Sequence, residues 1–122
     1  MATYCFDLDG TLCSNTEGLY DQAVPFFDMI SEVNRLKVEG HNILIYTARG
    51  SGTGKDWKAV TEQQLTQWGV THDRLILGKP AADVYVDDRG VNISEFRLVR
   101  MGRLGSESVP ALFSPDSSEE PQ

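Results

Sequence analysis

The stretch Phe6-Asp7-Leu8-Asp9-Gly10-Thr11 places two carboxylates one residue apart, and the apolar run Tyr4-Cys5-Phe6 leads directly into it. A glycine and a hydroxyl follow the second carboxylate at once. This pattern is typical of a buried strand that brings charged groups to the edge of a sheet and then turns sharply. Asp7 and Asp9 are therefore the first candidate functional residues of the chain.

The size and composition of the chain favour a single domain. It has 122 residues, of which 40% are hydrophobic, and this suffices for one core. No apolar run approaches the ~20 residues that a membrane helix needs. No secretory signal precedes the first strand, so a cytoplasmic location is expected. Ser, Pro and Glu dominate from Gly105 onward, and we expect a folded core over 1–104 and a disordered tail over 105–122.

Apolar runs and helical stripes alternate along the chain. The runs predict four strands, at residues 3–8, 43–46, 74–77 and 84–86. Apolar residues at helical spacing predict a helix that begins near Pro25 and ends at Gly40. Asp56 is a suitable cap for a second helix, which ends at Gly69.

This alternation predicts the α/β class, with a three-layer, Rossmann-like parallel sheet and helices on both faces. Right-handed crossovers bring the carboxyl ends of the strands to one edge. We expect the spatial order four-one-two-three, in which strands four and two flank strand one. Ligands of open α/β sheets bind at that edge, so the residues that follow the strands are the candidate site.

All four predicted strands end in residues that can take part in chemistry. These are Asp7 and Asp9, Thr47, Lys79, and Asp87 with Asp88. Carboxylates that converge closely cannot all stay ionised without compensation. Lys79 supplies one positive charge. A hard divalent cation such as Mg²⁺, which prefers oxygen ligands, can supply the rest of the positive charge that the carboxylates need. We therefore predict a metal site at Asp7, Asp9, Asp87 and Asp88.

The same edge suits a phosphoryl group. Asp7 can offer one oxygen to a metal and aim the other at phosphorus, whereas Asp9 is better placed as a general acid and base. Thr47 offers a hydroxyl and a backbone donor, and Lys79 neutralises charge on the transferring group. Gly10 allows a close approach of the backbone.

Two roles at this edge stay open. Arg49 either binds a second anionic group of the substrate or forms a structural ion pair. Asp88 is either a direct metal ligand or lies behind the ligands and fixes Lys79. The loop at 50–54 has the composition of a phosphate cradle but lacks the spacing of a nucleotide P-loop, which favours a mobile linker or a rim loop.

Asp7-Leu8-Asp9-Gly10-Thr11, Thr47, Lys79 and Asp87-Asp88 together resemble the four motifs of the haloacid dehalogenase (HAD) superfamily, in that family's order. The resemblance implies a HAD-type phosphatase that hydrolyses phosphomonoesters through an aspartyl-phosphate on Asp7. It implies that Asp9 protonates the leaving alcohol and then activates water, with Mg²⁺ as the cofactor. The predicted catalytic residues are Asp7, Asp9, Thr47 and Lys79. The predicted phosphate-binding residues are Gly10, Thr47, Ala48, Arg49 and Lys79.

A finer resemblance concerns the segments Tyr46-Thr47-Ala48-Arg49 and Tyr85-Val86-Asp87-Asp88-Arg89, which are similar to the small capsule-biosynthesis phosphatase type. The segments where relatives insert a cap domain, 12–24 and 50–72, are short here, so the chain resembles a capless member. Either the site is open to a large substrate, or a neighbouring subunit of a homo-oligomer provides the lid.

The expected partner is a small phosphorylated metabolite such as a sugar phosphate. Two alternatives stay open: a polynucleotide end phosphatase, and a non-catalytic phosphate-binding module. The formal net charge of −7 argues against a nucleic-acid partner, because phosphate backbones are normally bound by basic patches. No membrane partner is expected, and the leaving group of the substrate is not identified by the sequence.

Overall fold

The computed structural model describes residues 1–101, so the predicted domain end at 104 and the tail at 105–122 lie outside the described residues. The strands are β1 (Thr3–Asp7), β2 (Asn42–Thr47) and β3 (Arg74–Leu77), and the helices are α1 (Phe27–Val38), α2 (Lys58–Gln67) and α3 (Ile93–Arg100). A short 3-10 helix, Tyr20–Gln22, precedes α1. The chain divides into two compact units, Met1–Asp83 and a second one that begins at Val84.

The described sheet is parallel and has the order β1-β2-β3. Thr3 pairs with Asn42 and Asp7 with Tyr46, and on the other side Leu44 pairs with Arg74. Parallel neighbours need crossover connections, which α1 and α2 supply between consecutive strands. The α/β class and the neighbours of β2 are therefore as predicted, and the arrangement is consistent with a Rossmann-like fold.

The predicted fourth strand is absent from the described structure. Val84, Tyr85 and Val86 form no strand and are exposed by 73%, 52% and 90%. The apolar run is only three residues long, and it leads into a turn in which the Asp87 side chain accepts hydrogen bonds from the backbone N–H groups of Arg89 and Gly90. In the described three-stranded sheet, β1 therefore lies at an edge rather than at the centre.

The core of the first unit packs α1 against the sheet. Its fully or nearly fully buried side chains include Met29, Ile30, Val33 and Leu36 from α1, and Ile43 and Ile45 from β2. In β1, Tyr4 and Phe6 are buried while Thr3 and Cys5 are exposed. Helices on both faces are therefore not observed at β1, where the described residues cover one face.

No helix among residues 1–101 combines the length and the apolar character that a membrane span requires. Asp56 does not hold the predicted cap position of α2, which is occupied by Trp57 without a capping hydrogen bond from its side chain. Asp56 lies one residue earlier, and its carboxylate accepts a hydrogen bond of 3.0 Å from the Lys58 N–H.

Asp73 joins three elements at the end of the sheet away from the candidate site. Its Oδ2 accepts a hydrogen bond of 2.7 Å from the Ile43 N–H in β2. Its Oδ1 lies 2.6 Å from Nζ of Lys37 in α1, and its own N–H donates to the Ile43 carbonyl. The Ile43 N–H and then Lys37 hold the pKa of Asp73 below its ordinary value. The carboxylate therefore stabilises the fold in its ionised form.

We expect Asp73→Asn to lower the melting temperature near neutral pH by a few degrees, because the amide loses the charge that Lys37 meets. A lowered pKa stabilises the fold above the ordinary value of about 4, and this contribution is lost as the pH falls through the lowered pKa. The gap between parent and variant should therefore close in acid. Thermal melts across pH check this, with Glu62→Gln on the exposed side of α2 as a control. A gap that stays constant across pH would contradict the assignment.

Candidate functional site

The carboxyl ends of the three strands bring Asp7, Thr47 and Lys79 to one edge of the sheet. Asp7 ends β1, Thr47 ends β2, and Lys79 lies two residues beyond β3. The Lys79 N–H donates a hydrogen bond of 3.1 Å to the Thr47 carbonyl, which fixes the segment after β3 beside β2. The Lys79 Nζ lies 3.5 Å from Asp7 Oδ1. The structure thus places a carboxylate and an ammonium face to face at the edge predicted for the site.

The Asp7 carboxylate is accessible and has one cation at its side. Its side chain is 38% exposed. Partial burial raises the pKa of Asp7 above its ordinary value, and the Lys79 ammonium opposes part of that rise. Asp7 is therefore a partly buried carboxylate that is less well solvated than a free one and has a cation in contact.

The turn after β1 is tight and depends on Gly10. The Leu8 carbonyl accepts hydrogen bonds from the N–H groups of Thr11, Leu12 and Cys13. Gly10 has a φ of +85°, a region that residues with a Cβ rarely adopt. Its N–H donates to the Cys13 carbonyl at 2.7 Å. In the described structure Gly10 therefore shapes the turn, and its N–H is already used within it.

The Asp9 carboxylate is held by Arg49 through two hydrogen bonds. Arg49 Nε donates to Oδ2 and Arg49 Nη2 donates to Oδ1, both at 2.9 Å. The Arg49 side chain is fully buried, and the Asp9 side chain is 17% exposed. This two-pronged geometry is the strongest form of carboxylate recognition by arginine. Asp9 thus differs from Asp7 in three respects: the basic side chain that it contacts, the exposure of its own side chain, and the number of carboxylate oxygens that accept hydrogen bonds.

The rest of the Arg49 guanidinium is engaged by side chains from α2 and from the loop before α1. Nη1 donates to Thr61 Oγ1 at 3.1 Å and to Gln64 Oε1 at 2.6 Å. The guanidinium carbon lies 4.7 Å from the centre of the Tyr20 ring, and Gln64 Nε2 donates to the Tyr20 carbonyl at 2.7 Å. Of the two roles that the sequence left open, this geometry favours the structural ion pair.

Sequence reasoning did not identify the partners of Arg49. Thr61 and Gln64 are buried polar residues of α2, and Tyr20 lies in the 3-10 helix before α1. The only signal available was that two polar side chains fall on the inner face of α2. Polar residues on a buried face need hydrogen-bond partners, but the sequence does not say which ones.

Cys13 is a neutral neighbour of Asp9. Its Sγ lies 3.5 Å from Asp9 Oδ1 and is fully buried. Burial, followed by the charge of Asp9, raises the pKa of Cys13 to about 12. The thiol therefore stays protonated, and a thiol in this form is a poor nucleophile.

The acidic residues of the first unit have limited capacity for a metal ion. Within Met1–Asp83, no three His, Cys, Asp or Glu side chains come together as a possible metal site. Asp7 does present an accessible carboxylate, and Mg²⁺ needs only one or two carboxylates besides water and phosphate oxygens. Both carboxylate oxygens of Asp9 are taken by Arg49, which leaves its backbone carbonyl as the better donor. The donor set of this unit is thus compatible with Mg²⁺ but incomplete.

The predicted ligands Asp87 and Asp88 belong to the second unit. Both are exposed. The backbone N–H groups of Arg89 and Gly90 donate to Asp87 Oδ1 and hold the pKa of Asp87 below its ordinary value. Asp87 is therefore ionised, as a metal ligand has to be.

Among the comparisons with known proteins, only the comparison with solved structures gives matches. No family model matches the chain, and no curated protein matches it. A structural genomics target from Vibrio cholerae superposes with a TM-score of 0.74 at 28% identity, over 93% of this chain and 97% of that one. The two chains therefore share a fold along almost their full lengths.

Two further solved structures share the fold more distantly. A chain of the Pnkp1/Rnl/Hen1 complex superposes with a TM-score of 0.51 at 23% identity, over 84% of this chain and 35% of its own length. A chain of the Pnkp1/Rnl/Hen1 RNA repair complex gives 0.52 and 21%, over 81% and 31%. This chain spans about a third of each of them.

We expect Arg49→Met to reduce the free energy of unfolding by about 3 kcal/mol or more, because it leaves Asp9 charged, largely buried and unpaired. Urea denaturation measures this. Arg74→Met, at an exposed position of β3, should change stability by less than about 0.5 kcal/mol. Combining Arg49→Met with Asp9→Leu should recover part of the loss, because both charges are then absent. A cost for Arg49→Met below about 1 kcal/mol would contradict the central place given to this pair.

Proposed function

We propose that this chain is a Mg²⁺-dependent HAD-type phosphatase that hydrolyses phosphomonoesters through an aspartyl-phosphate on Asp7. The observation that carries the proposal is that the two carboxylates differ in their exposure and in the cation that each one contacts. Asp7 is accessible and faces Lys79, whereas Asp9 is bound by the buried Arg49. Two carboxylates in different environments can perform different steps of one reaction.

In the first step, an Asp7 oxygen attacks phosphorus, and the bond from phosphorus to the ester oxygen breaks. Lys79 stabilises the negative charge that is shared between Asp7 and the phosphoryl oxygens. Thr47 is fully buried and its Oγ1 accepts the Arg49 N–H at 3.1 Å. Its main contribution is therefore to shape the end of β2, where the half-buried Ala48 can present its backbone N–H to a phosphoryl oxygen.

Asp9 gives its proton to the departing alcohol and later removes a proton from the water that attacks the aspartyl-phosphate. To carry a proton, Asp9 has to release at least one of the two hydrogen bonds from Arg49, since a protonated oxygen cannot accept from that N–H in the same way. In this proposal Arg49 is not a ligand of the substrate. It orients Asp9 through both carboxylate oxygens.

The proposed Mg²⁺ ligands are the Asp7 carboxylate, the Asp9 backbone carbonyl and Asp87, and Asp88 is either a further ligand or fixes Lys79. When bound, the ion neutralises charge on the phosphoryl oxygens.

The likeness to the Vibrio cholerae target supports the fold on which this proposal depends, since it extends over 93% of the chain. The chemistry is supported by the motif resemblance and by the geometry at Asp7 and Asp9. The proposed substrate is a small phosphorylated metabolite, such as a sugar phosphate.

The RNA repair complex that shares the fold raises a second candidate, a polynucleotide end phosphatase. At 21% identity the likeness concerns the fold, and the formal net charge of −7 opposes binding to a phosphate backbone. A non-catalytic phosphate-binding module is the third candidate. In that case Asp7 and Lys79 would bind a phosphate group without catalysing its hydrolysis.

Replacing the nucleophile tests the proposal directly. We expect Asp7→Asn to lower the rate of p-nitrophenyl phosphate hydrolysis with Mg²⁺ by about 10³-fold or more. The fold should survive, because a raised pKa means that the ionised Asp7 opposes folding near neutral pH and the neutral amide removes that cost. Asp21→Asn, an exposed carboxylate in the 3-10 helix, is the matched control. An Asp7→Asn variant that keeps the parental rate would show that the nucleophile is wrongly assigned.

Competition separates the metabolite phosphatase from the polynucleotide phosphatase. We expect single-stranded DNA with a terminal phosphate to compete weakly with p-nitrophenyl phosphate, with little dependence on salt. Strong competition that falls steeply with salt would instead favour the polynucleotide substrate. Absence of hydrolysis across a broad phosphoester panel with Mg²⁺, Mn²⁺ or Co²⁺ would favour the non-catalytic module.

A further inference from the structure

A cavity of about 410 Å³ opens beside the strand ends of the first unit. Its wall comes from three parts of the chain: Tyr20 from the loop before α1, Ala48 and the loop up to Lys55 and Trp57, and Ala81 beyond β3. Glycines and Thr53 complete it. The volume lies in the range of pockets for small ligands. Because Ala48 lies next to Thr47, the cavity adjoins the position proposed for the phosphoryl group and can receive the leaving alcohol.

The aromatic walls of the cavity are already partly covered by cations. The rings of Tyr20 and Trp57 meet edge to face, with centroids 4.9 Å apart and an angle of 89°. One face of Tyr20 lies on the Arg49 guanidinium, and one face of Trp57 lies under the Lys55 ammonium, each at 4.7 Å. A flat base needs an open aromatic face to stack on. Crossed, partly covered rings are better suited to a puckered sugar.

Lys55 gives the cavity a single positive charge. Among the described residues that line it, Lys55 alone is charged, and within residues 1–101 no carboxylate forms an ion pair with it. The chain as a whole is acidic, with a formal net charge of −7. A lone ammonium in such a protein attracts an anionic group and discriminates in its favour against a neutral one.

The loop that carries Lys55 is closed by backbone contacts. Gly50 has a φ of +84°, and a Cβ there would collide with the Lys55 carbonyl. The Gly54 N–H donates to the Gly50 carbonyl at 2.7 Å. Ser51 Oγ donates to the Lys79 carbonyl at 2.7 Å, which ties this loop to the segment that carries the proposed catalytic lysine. These contacts fix the loop that carries Lys55 beside the strand ends, so Lys55 lies at the rim of the cavity.

We infer that this cavity binds the leaving group of the substrate, and that the preferred substrates are phosphomonoesters of sugar-sized alcohols that carry a second anionic group. The inference rests on the proposed function for the identity of the first phosphate. The phosphoryl group lies at Asp7 and Lys79, the sugar lies against Tyr20 and Trp57, and the second anion pairs with Lys55.

Binding is measured first, separately from turnover. In an Asp7→Asn/Trp68→Phe background, Trp57 is the remaining tryptophan and reports on its own pocket. We expect galacturonate 1-phosphate, whose sugar carries a carboxylate, to bind about fivefold or more tightly than galactose 1-phosphate, whose sugar carries no charge besides the phosphate. Adding Lys55→Met should remove the difference, whereas Lys58→Met, an exposed lysine outside the cavity, should keep it.

Equal affinity for the two sugars, or a preference that survives Lys55→Met, would overturn the inference. Tighter binding of adenosine monophosphate than of galacturonate 1-phosphate would also overturn it, because the walls would then accept a stacked base.

Turnover is measured next in the protein that retains Asp7. We expect the preference to appear as a lower KM for galacturonate 1-phosphate and to vanish in Lys55→Met, whereas Lys58→Met should keep the preference. Hydrolysis of both sugars at equal KM overturns the pocket inference and leaves the proposed function intact. No hydrolysis of either sugar or of p-nitrophenyl phosphate, with Lys55-dependent binding retained, overturns the proposed function and keeps the cavity as an anionic-sugar site.

Discussion

The buried ion pair between Arg49 and Asp9 is the interaction on which the site depends. It joins the turn after β1 to the end of β2, and through Thr61 and Gln64 it fixes α2 against both. A fully buried guanidinium is stable only when its N–H groups are met by acceptors, and here a carboxylate, a hydroxyl and an amide oxygen meet them. Loss of any one element would leave charge or polar groups buried without partners.

This pair also separates the chemistry of two carboxylates that are one residue apart. Arg49 engages both side-chain oxygens of Asp9, whereas Lys79 approaches one oxygen of Asp7 at 3.5 Å and leaves the carboxylate partly exposed. Each carboxylate thus has its own cation within the same small volume. Asp7 is thus the more exposed of the two carboxylates, and Asp9 is the more firmly oriented. Tyr20, which lies against Arg49, extends the same arrangement to the wall of the neighbouring cavity.

The sequence predicts well which residues meet at the carboxyl ends of the strands, but it predicts poorly which side chains pair with them. Asp7, Thr47 and Lys79 could be placed together because parallel strands with crossover helices bring their carboxyl ends to one edge. The partner of Asp9 could not be predicted, because Arg49 is 40 residues away and its pairing depends on side-chain reach rather than on periodicity. Residues 84–86 show the limit of a short apolar run, which formed no strand in the described structure although its composition favours one. Cys5 is exposed although it lies within the apolar run of the first strand, because β1 alternates between a covered and an open face.

The central claim is that Asp7 carries the phosphoryl group. Rapid mixing of the protein with p-nitrophenyl phosphate and Mg²⁺, followed by a borohydride quench during turnover, reduces an aspartyl-phosphate to homoserine, which peptide mass spectrometry then locates. The account predicts homoserine at position 7, and none in the Asp7→Asn variant treated in the same way. Homoserine at another position, or unmodified Asp7 while product is released, would contradict it.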